Sequence, residues 1–389
     1  MDSLKQGLFR DEFPHSNEHI YLNHCAIGPI PSRSAEAGRE HIRQRNSGSV
    51  DTFVYDEPVI ESARSLAAKL INSESEDAIA FIPNTSHGVN MISSAIPWEV
   101  GDEIVLSDIE FPANVYPYLW SGEGKTNVIK VDGSDGKLPV ERIEEAITPR
   151  TRVVAVSAVQ FLSGFRADLE AIGRLCKENN IYFIVDAIQA LGSIPVDVQQ
   201  MQIDALVTGG QKWLLGPQGQ GFMYISEELH QQLNPVHVGW LSVEDPWDLL
   251  NTNQQLQTTP RRFEGGMYNG PGINILEKSL ELLNEAGIEN INRHIIGLQD
   301  YFEDQIGHLP LERFGSVETK HRSGILAYSL PESLDTEKFV QTFRDAGIKI
   351  SVRKNVLRIA PHLYNTLQEM DRTAELLEKA GQSQIWDQS

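Results

Sequence analysis

Between residues 79 and 225 the chain repeats one arrangement: a short run of apolar residues, a polar residue or glycine, then an amphipathic stretch. The runs IAFI (79–82), EIVLS (103–107), NVIKV (127–131), RVVAVSA (152–158), IYFIVD (181–186), DALVT (204–208) and GFMYI (221–225) read as strands. A strand that is apolar on successive residues has no face left for water. It must be covered on both sides, as in a mainly parallel sheet between layers of helices. The intervening stretches supply those helices: SHGVNMISSAI (86–96), residues 141–147, and the segment that follows Asp168. There an N-cap residue precedes Leu169, Ile172 and Cys176 at helical spacing. The expected class is α/β.

The pattern changes after residue 226. Residues 234–270 are rich in Pro, Gly, Asn, Gln and Trp and read as irregular. Ile273, Leu276, Leu280 and Leu283 form a helical stripe that ends near Gly287. Short strands (323–329, 356–360) and helices follow, and Thr366 and Glu369 are spaced as a capping box. The expected division is an N-terminal segment at 1–22, a large α/β domain at 23–262 and a smaller α+β domain at 263–389.

Charge narrows the function. The 33 basic and 54 acidic residues leave a net charge of −21, which repels phosphate backbones and anionic membranes. Local sites for anionic small molecules remain compatible with it. Cys25 and Cys176 are the only cysteines, so there is no disulfide framework and no thiolate zinc site. Two thiols in 389 residues suit a reducing compartment. The start of the chain lacks an apolar signal core, and no run approaches the ~18 apolar residues of a membrane span. The expectation is a cytoplasmic protein that binds neither nucleic acid nor membrane.

Common motifs are excluded. No G-x-G-x-x-G opens a βαβ unit, and no H-E-x-x-H occurs. Gly124-Lys125-Thr126 ends like a phosphate loop, but that motif needs a glycine where Leu119 stands. The histidines show no metal spacing, and no metal site is expected.

Four stretches place polar residues where ligands bind in α/β sheets, at the carboxyl ends of strands. Thr85 and Ser86, in PNTSHG (83–88), open a helix after strand 79–82 and could form an anion cup, or simply cap the helix. Asp186 ends a very apolar run, with Gln189 one turn on. Its carboxylate suits a cationic ring nitrogen, or a turn cap. Lys212, in GGQKW (209–213), stands among glycines after strand 204–208 and suits Schiff-base chemistry, or is an ordinary surface lysine. Arg358, in the small domain, suits bidentate recognition of a carboxylate, or a surface salt bridge. An anion cup, a pyridinium partner, a reactive lysine and a carboxylate clamp together are what pyridoxal 5′-phosphate (PLP) chemistry on an amino acid requires.

The order of these pieces, from Tyr21-Leu22-Asn23 to Tyr364-Asn365-Thr366, resembles the class V aminotransferase family, which includes cysteine desulfurases, kynureninases and isopenicillin N epimerases. Asp186-x-x-Gln189 followed by Gln211-Lys212 and GPQGQG carries the resemblance. It implies the fold type I PLP architecture: a large domain with a mainly parallel seven-stranded type of sheet, a smaller α+β domain, and a homodimer with shared active sites. It implies that Lys212 holds PLP as an internal aldimine, Asp186 meets the pyridine nitrogen, and Gln189 lies beside the phenolic oxygen. Thr85 and Ser86 match the hydroxyls on the phosphate. Gln211 stands where the family often has a phosphate-binding histidine, Phe111 resembles the residue stacked on the ring, and Asn114 approaches the phosphate. Gln160 falls where a polar side chain holds the cofactor's oxygen, and Trp240 resembles a kynureninase tryptophan near the cofactor. Arg358 matches the arginine on the substrate α-carboxylate, and His24 falls on the substrate side.

Two departures stand out. RFEGG (262–266) is followed by Met267, where the family often has Thr or Asn reaching the partner's phosphate. Desulfurases carry a nucleophilic cysteine shortly before the carboxylate-binding arginine, and GIKISVRKNVL (347–357) has none. Cys176 reads as core, and Cys25 as small-residue packing near the substrate with a reactive thiol as the alternative. The expected activity is PLP-dependent chemistry at Cα or Cβ of an amino acid, leaning to C–S lyase or aminotransferase chemistry without a persulfide cysteine. The alternatives are an amino-acid epimerase and a non-catalytic relative that keeps the fold.

Overall fold

The computed structural model describes residues 2–384. Its strands are β1 (Ile20–Tyr21), β2 (Ile79–Ile82), β3 (Glu103–Ser107), β4 (Asn127–Val131), β5 (Thr151–Ser157), β6 (Tyr182–Asp186), β7 (Ala205–Gly209), β8 (Gly221–Ile225), β9 (Glu312–Arg313), β10 (Leu326–Ser329), β11 (Ile348–Lys349), β12 (Ser351–Arg353) and β13 (Val356–Ile359). The seven apolar runs read from the sequence form one sheet in the order β2-β8-β7-β6-β5-β3-β4. Strands β7, β6, β5, β3 and β4 are mutually parallel, and β8 runs antiparallel to both its neighbours. The exception follows from the connections. Parallel strands need a long crossover, whereas β7 and β8 are joined by residues 210–220 without a helix between them. That direct connection carries Lys212.

Both faces of the sheet are buried, which explains the continuous apolar runs. Val153, Ala155, Ile184, Val207 and Met223 share one core with Val89, Met91 and Ile92 of the helix Thr85–Ala95. Val154, Val156, Phe183, Val185 and Leu206 share the other with Ile60, Ala63 and Ala67 of the helix Phe53–Leu70, and with Ile172 and Cys176 of the helix Leu169–Glu178. The stripe Ile273, Leu276, Leu280 and Leu283 lies on the helix Gly270–Ala286 and is fully buried in the same core. Each such leucine is worth roughly 1.5–3 kcal/mol. This helix lies beyond residue 262 in sequence yet packs against the helices Ser32–Ser47 and Phe53–Leu70.

The smaller part is an antiparallel sheet, β12-β13-β10-β9, beside a third core. The helix Ile288–Ile306 joins the two parts: Ile291 and Ile295 enter the large core, and Leu298, Phe302 and Ile306 enter the small one. The N-terminal segment also ties into the small part, as β1 pairs in parallel with β11. The helix Leu367–Gln384 opens with the expected capping box: the Thr366 amide donates to Glu369 Oε2 (3.0 Å) and the Glu369 amide to Thr366 Oγ1 (3.4 Å). Among the described residues, no helix is long and apolar enough to cross a membrane, and no cluster of three or more His, Cys, Asp or Glu could hold a metal ion.

Candidate active site

Strands β5, β6 and β7 point the same way, so Ser157, Asp186 and Gly209 end on one edge of the sheet. Asp186 is 2% exposed, and its Oδ1 accepts from the Ile188 amide at 3.0 Å. Burial is the main reason its pKa rises from 3.8 to about 7, and the nearby Glu110 carboxylate adds to the rise. Among the described residues no cation hydrogen-bonds to it, and Lys212 opposes the rise through its charge alone.

Lys212 follows β7 on a backbone held from two sides. The Gly28 amide donates to the Gln211 carbonyl at 2.8 Å, and a Cβ on Gly28 would stand 2.1 Å from the Lys212 carbonyl oxygen. Gly192, at φ +99°, leaves similarly little room against Trp213, so only glycine serves there. The fully buried Trp213 indole donates to Gln189 Oε1 (2.8 Å), while Gln189 Nε2 donates to the Cys25 carbonyl (2.9 Å). Lys212 Nζ lies 5.6 Å from the centroid of the Phe111 ring, which meets Phe161 edge-on at 5.3 Å. Burial lowers the lysine pKa, Asp186 and the Cys25 thiol oppose the fall, and Arg358 and Arg353 add to it.

The helix after β2 is capped by Asn84, whose Oδ1 accepts from the His87 amide at 2.9 Å. Capping therefore does not occupy Thr85 or Ser86. Thr85 Oγ1 is buried with no hydrogen-bond partner, and Ser86 is exposed. Asn114 and Gln160 are brought together by Glu110, a buried residue at the end of β3's connection. Its carboxylate accepts from the Ser157 amide (2.8 Å), the Ser157 hydroxyl, Gln160 Nε2 (2.9 Å) and Asn114 Nδ2 (3.3 Å). Asn114 Oδ1 and Gln160 Oε1 are left buried without partners. Burial raises the Glu110 pKa, and its four donors oppose the rise.

Arg358, 1% exposed, comes from β13. It donates through Nη1 to the Phe161 carbonyl (2.7 Å) and through Nη2 to Ser351 Oγ (3.0 Å), and its Nε is buried and unpaired. It is not the surface salt bridge that was the alternative. Cys25 Sγ lies 3.9 Å from the same Ser351 hydroxyl. The thiol therefore stands on the Lys212–Arg358 side of the site, buried at 2% exposure. Cys176 is core, and burial pushes its thiol pKa far up.

Other expected residues stand differently. His24 is fully buried with both ring nitrogens engaged: Nδ1 donates to the Ala360 carbonyl (2.7 Å), and Nε2 accepts from the Tyr364 hydroxyl (2.9 Å). Its ring lies 5.8 Å from that of Trp213, tilted by 35°, and both nitrogens are already taken. Burial lowers its pKa well below the usual value, so it is neutral. Trp240 meets Trp247 at 5.3 Å, and Trp247 meets Phe53 at 4.9 Å; the cluster joins the 240–267 region to the start of the Phe53–Leu70 helix, with Trp240 beside Gly266. Met267 is 66% exposed and lines a cleft with Pro83, His87 and Asn269, near the start of the Thr85–Ala95 helix. Gln211 folds its amide back over Gly209, where Oε1 is buried and unpaired.

Two carboxylates were missed in the sequence. Glu110 lies three residues past the end of β3, behind Asp108, so a strand-end position alone did not single it out. Glu264, from RFEGG, is 5% exposed and pairs twice with the fully buried Arg64 (3.0 and 3.1 Å). It also accepts from the Phe81 amide (2.6 Å) and the Tyr268 hydroxyl (2.7 Å), which fixes the 264–268 turn to β2. Arg64 sits beside Ala63 and Ala67 on an apolar helical stripe, and a charge there is the signal that was available.

The residues present fit PLP. Asp186 offers a buried anion for a ring nitrogen, Phe111 a flat face, Thr85 an unpaired hydroxyl at a helix start for a phosphate, and Lys212 an amine whose pKa is already lowered. The model of the family described as "Aminotransferase class-V" matches residues 32–372. A probable cysteine desulfurase of Methanothermobacter thermautotrophicus is 27% identical, covering 95% of this chain and 96% of its own. The uncharacterized aminotransferase YcbU of Bacillus subtilis is 28% identical, with 93% and 94% covered. The structure of an apo cysteine desulfurase from Thermococcus onnurineus NA1 superposes with a TM-score of 0.87 at 24% identity, covering 96% of this chain and 98% of that one. With this site on this fold, the chain belongs to the class V aminotransferase family of PLP-dependent enzymes.

Proposed function

We propose that this enzyme acts at Cα and Cβ of an amino acid, as a C–S lyase or aminotransferase, without storing sulfur on a cysteine before the carboxylate-binding arginine. The observation that carries the reading is the β12–β13 connection. Lys354 and Asn355, at φ 47° and 58°, make a two-residue turn directly between the paired strands. No cysteine-bearing loop exists there to approach the site.

In this reading Arg358 binds the substrate α-carboxylate and Asp186 keeps the ring nitrogen protonated. When bound, PLP supplies the electron sink for charge that develops at Cα. The lowered pKa of Lys212 makes its Nζ a competent base for the Cα proton. Phe111, held edge-on by Phe161, offers the face on which the ring would rest. Exposed Ile27, Ile30, Trp120 and Met267 support a homodimer that completes the site, and the thiol content supports a cytoplasmic location.

The test is a visible absorption spectrum of the PLP-loaded protein and of Lys212→Ala, followed by amino-acid additions with product analysis. The expected result is a visible band that depends on Lys212. Pyruvate with sulfide from cysteine or a derivative then identifies elimination, and a 2-oxo acid with the amino group retained on the enzyme identifies amino transfer. Persulfide on a protein cysteine, or no Lys212-dependent band, refutes the reading.

A further inference from the structure

Arg353 has so far entered the site only through its charge on Lys212. It stands at the end of β12, where Ser351 pairs with Arg358 and Arg353 with Val356. Residues opposite one another in an antiparallel pair share a face, and residues two apart on a strand share it too. Ser351, Arg353 and Arg358 therefore project to one side. The hydrogen bond from Arg358 to Ser351 Oγ and the contact of Arg358 with the Phe161 carbonyl show that this side faces the large domain. Diagonal neighbours of this kind lie about 7–8 Å apart. The Arg353 charge acts on both Arg358 and Lys212, as expected of a guanidinium turned toward them.

Arg353 is exposed, and among the described residues no carboxylate pairs with it. Among the arginines without such a pair, Arg353 and Arg358 are the two whose charges act on Lys212. Arg10, Arg33, Arg64, Arg150, Arg261 and Arg313 all meet a glutamate. The tight turn at Lys354 and Asn355 fixes the strand end, so Arg353 leaves a defined point of the sheet.

Resting on the reading of the site as an amino-acid enzyme, we infer that its substrate is acidic: Arg358 takes the α-carboxylate and Arg353 takes a second anionic group on the side chain. Arg353 is then the specificity residue. Its loss removes the preference for a second negative charge and leaves the common part of binding intact.

The test titrates the PLP-loaded enzyme, its Arg353→Ala variant and its Arg353→Lys variant with aspartate, glutamate, asparagine, glutamine and alanine. Dissociation constants are read from the change in the visible band. Glutarate and butyrate, which carry no amine, are titrated in parallel by calorimetry. The wild-type protein is expected to favour the acidic member of each pair by about 10–100-fold, the range of a charge-assisted hydrogen bond. Arg353→Ala is expected to abolish that ratio with alanine affinity changed less than about twofold, and Arg353→Lys to retain part of it. Equal weakening of acidic and neutral ligands in Arg353→Ala would overturn the proposal, because both arginines would then share the α-carboxylate. Equal wild-type affinity for glutarate and butyrate would overturn it as well. No response to any amino acid, with the Lys212-dependent band present, would overturn the amino-acid reading of the site and this proposal with it.

Discussion

Asp186 should weaken the cofactor-free protein in a way that depends on pH. Its carboxyl titrates at about 7 in the folded chain against 3.8 ordinarily, mainly through burial. A carboxyl whose folded pKa is raised costs nothing below the unfolded value. The cost grows as pH rises and is complete once the folded pKa is passed. At about 1.4 kcal/mol per pKa unit, the full cost is up to about 4 kcal/mol. Asp186→Asn keeps the acceptor for the Ile188 amide and removes the charge. Asp186 also steadies the Lys212 ammonium, so the net gain is smaller than the full cost. Urea unfolding of the cofactor-free proteins between pH 4.5 and 8.5 measures the difference. The variant is expected to be the more stable at pH 8, with the gap closing toward pH 4.5. Asp204, raised to about 6 by burial, slopes in the same direction but cancels in the comparison. A variant equal to or weaker than wild type at pH 8, or a gap independent of pH, would refute the reasoning. The same charge serves function. Bound PLP brings a cation to Asp186, so the variant should gain less stability from PLP than the wild type does.

Two further outcomes are expected. Glu110→Gln turns an amide toward groups that now donate to a carboxylate, leaving one or two buried donors unpaired at about 1–3 kcal/mol; denaturant unfolding should show that loss and visible titration a weaker hold on PLP. Glu264→Ala strands the fully buried Arg64 and should cost about 3–5 kcal/mol in urea unfolding, far more than loss of an exposed pair such as Arg39–Glu36.

The fold was legible because a sheet buried on both faces leaves no polar positions along its strands. The ends of β2, β6 and β7 therefore stood out as the first polar residues after Ile82, in Asp186 and beyond Gly209. The one antiparallel strand, β8, was not readable, since GFMYI has the same burial as its neighbours and direction is set by the length of the 210–220 connection. The pairing of β1 with β11 was hidden for a related reason. Ile20 and Ile348 are far apart in the chain, and two-residue strands carry no periodicity.

The site was less legible than the fold because its polar groups are arranged through contacts between distant segments. Spacing could mark Asn114 and Gln160 only through a resemblance. Their common partner Glu110 lies 50 residues from Gln160, and no local rule connects the two. His24 illustrates the opposite failure. Its place in the N-terminal motif suggested a substrate contact, whereas Ala360 and Tyr364, both distant, take its nitrogens. A buried polar side chain is directed by whichever partner meets it, because leaving it unpaired is costly. The exceptions are then the informative ones. Thr85 Oγ1, Asn114 Oδ1, Gln160 Oε1 and Gln211 Oε1 are buried without partners after the ends of four different strands, as are other atoms far from the site such as His230 Nε2. Together with the Asp186 carboxylate, buried and facing Lys212 without a hydrogen bond to it, the four at the strand ends are more economically explained by one bound molecule than by several independent defects of folding.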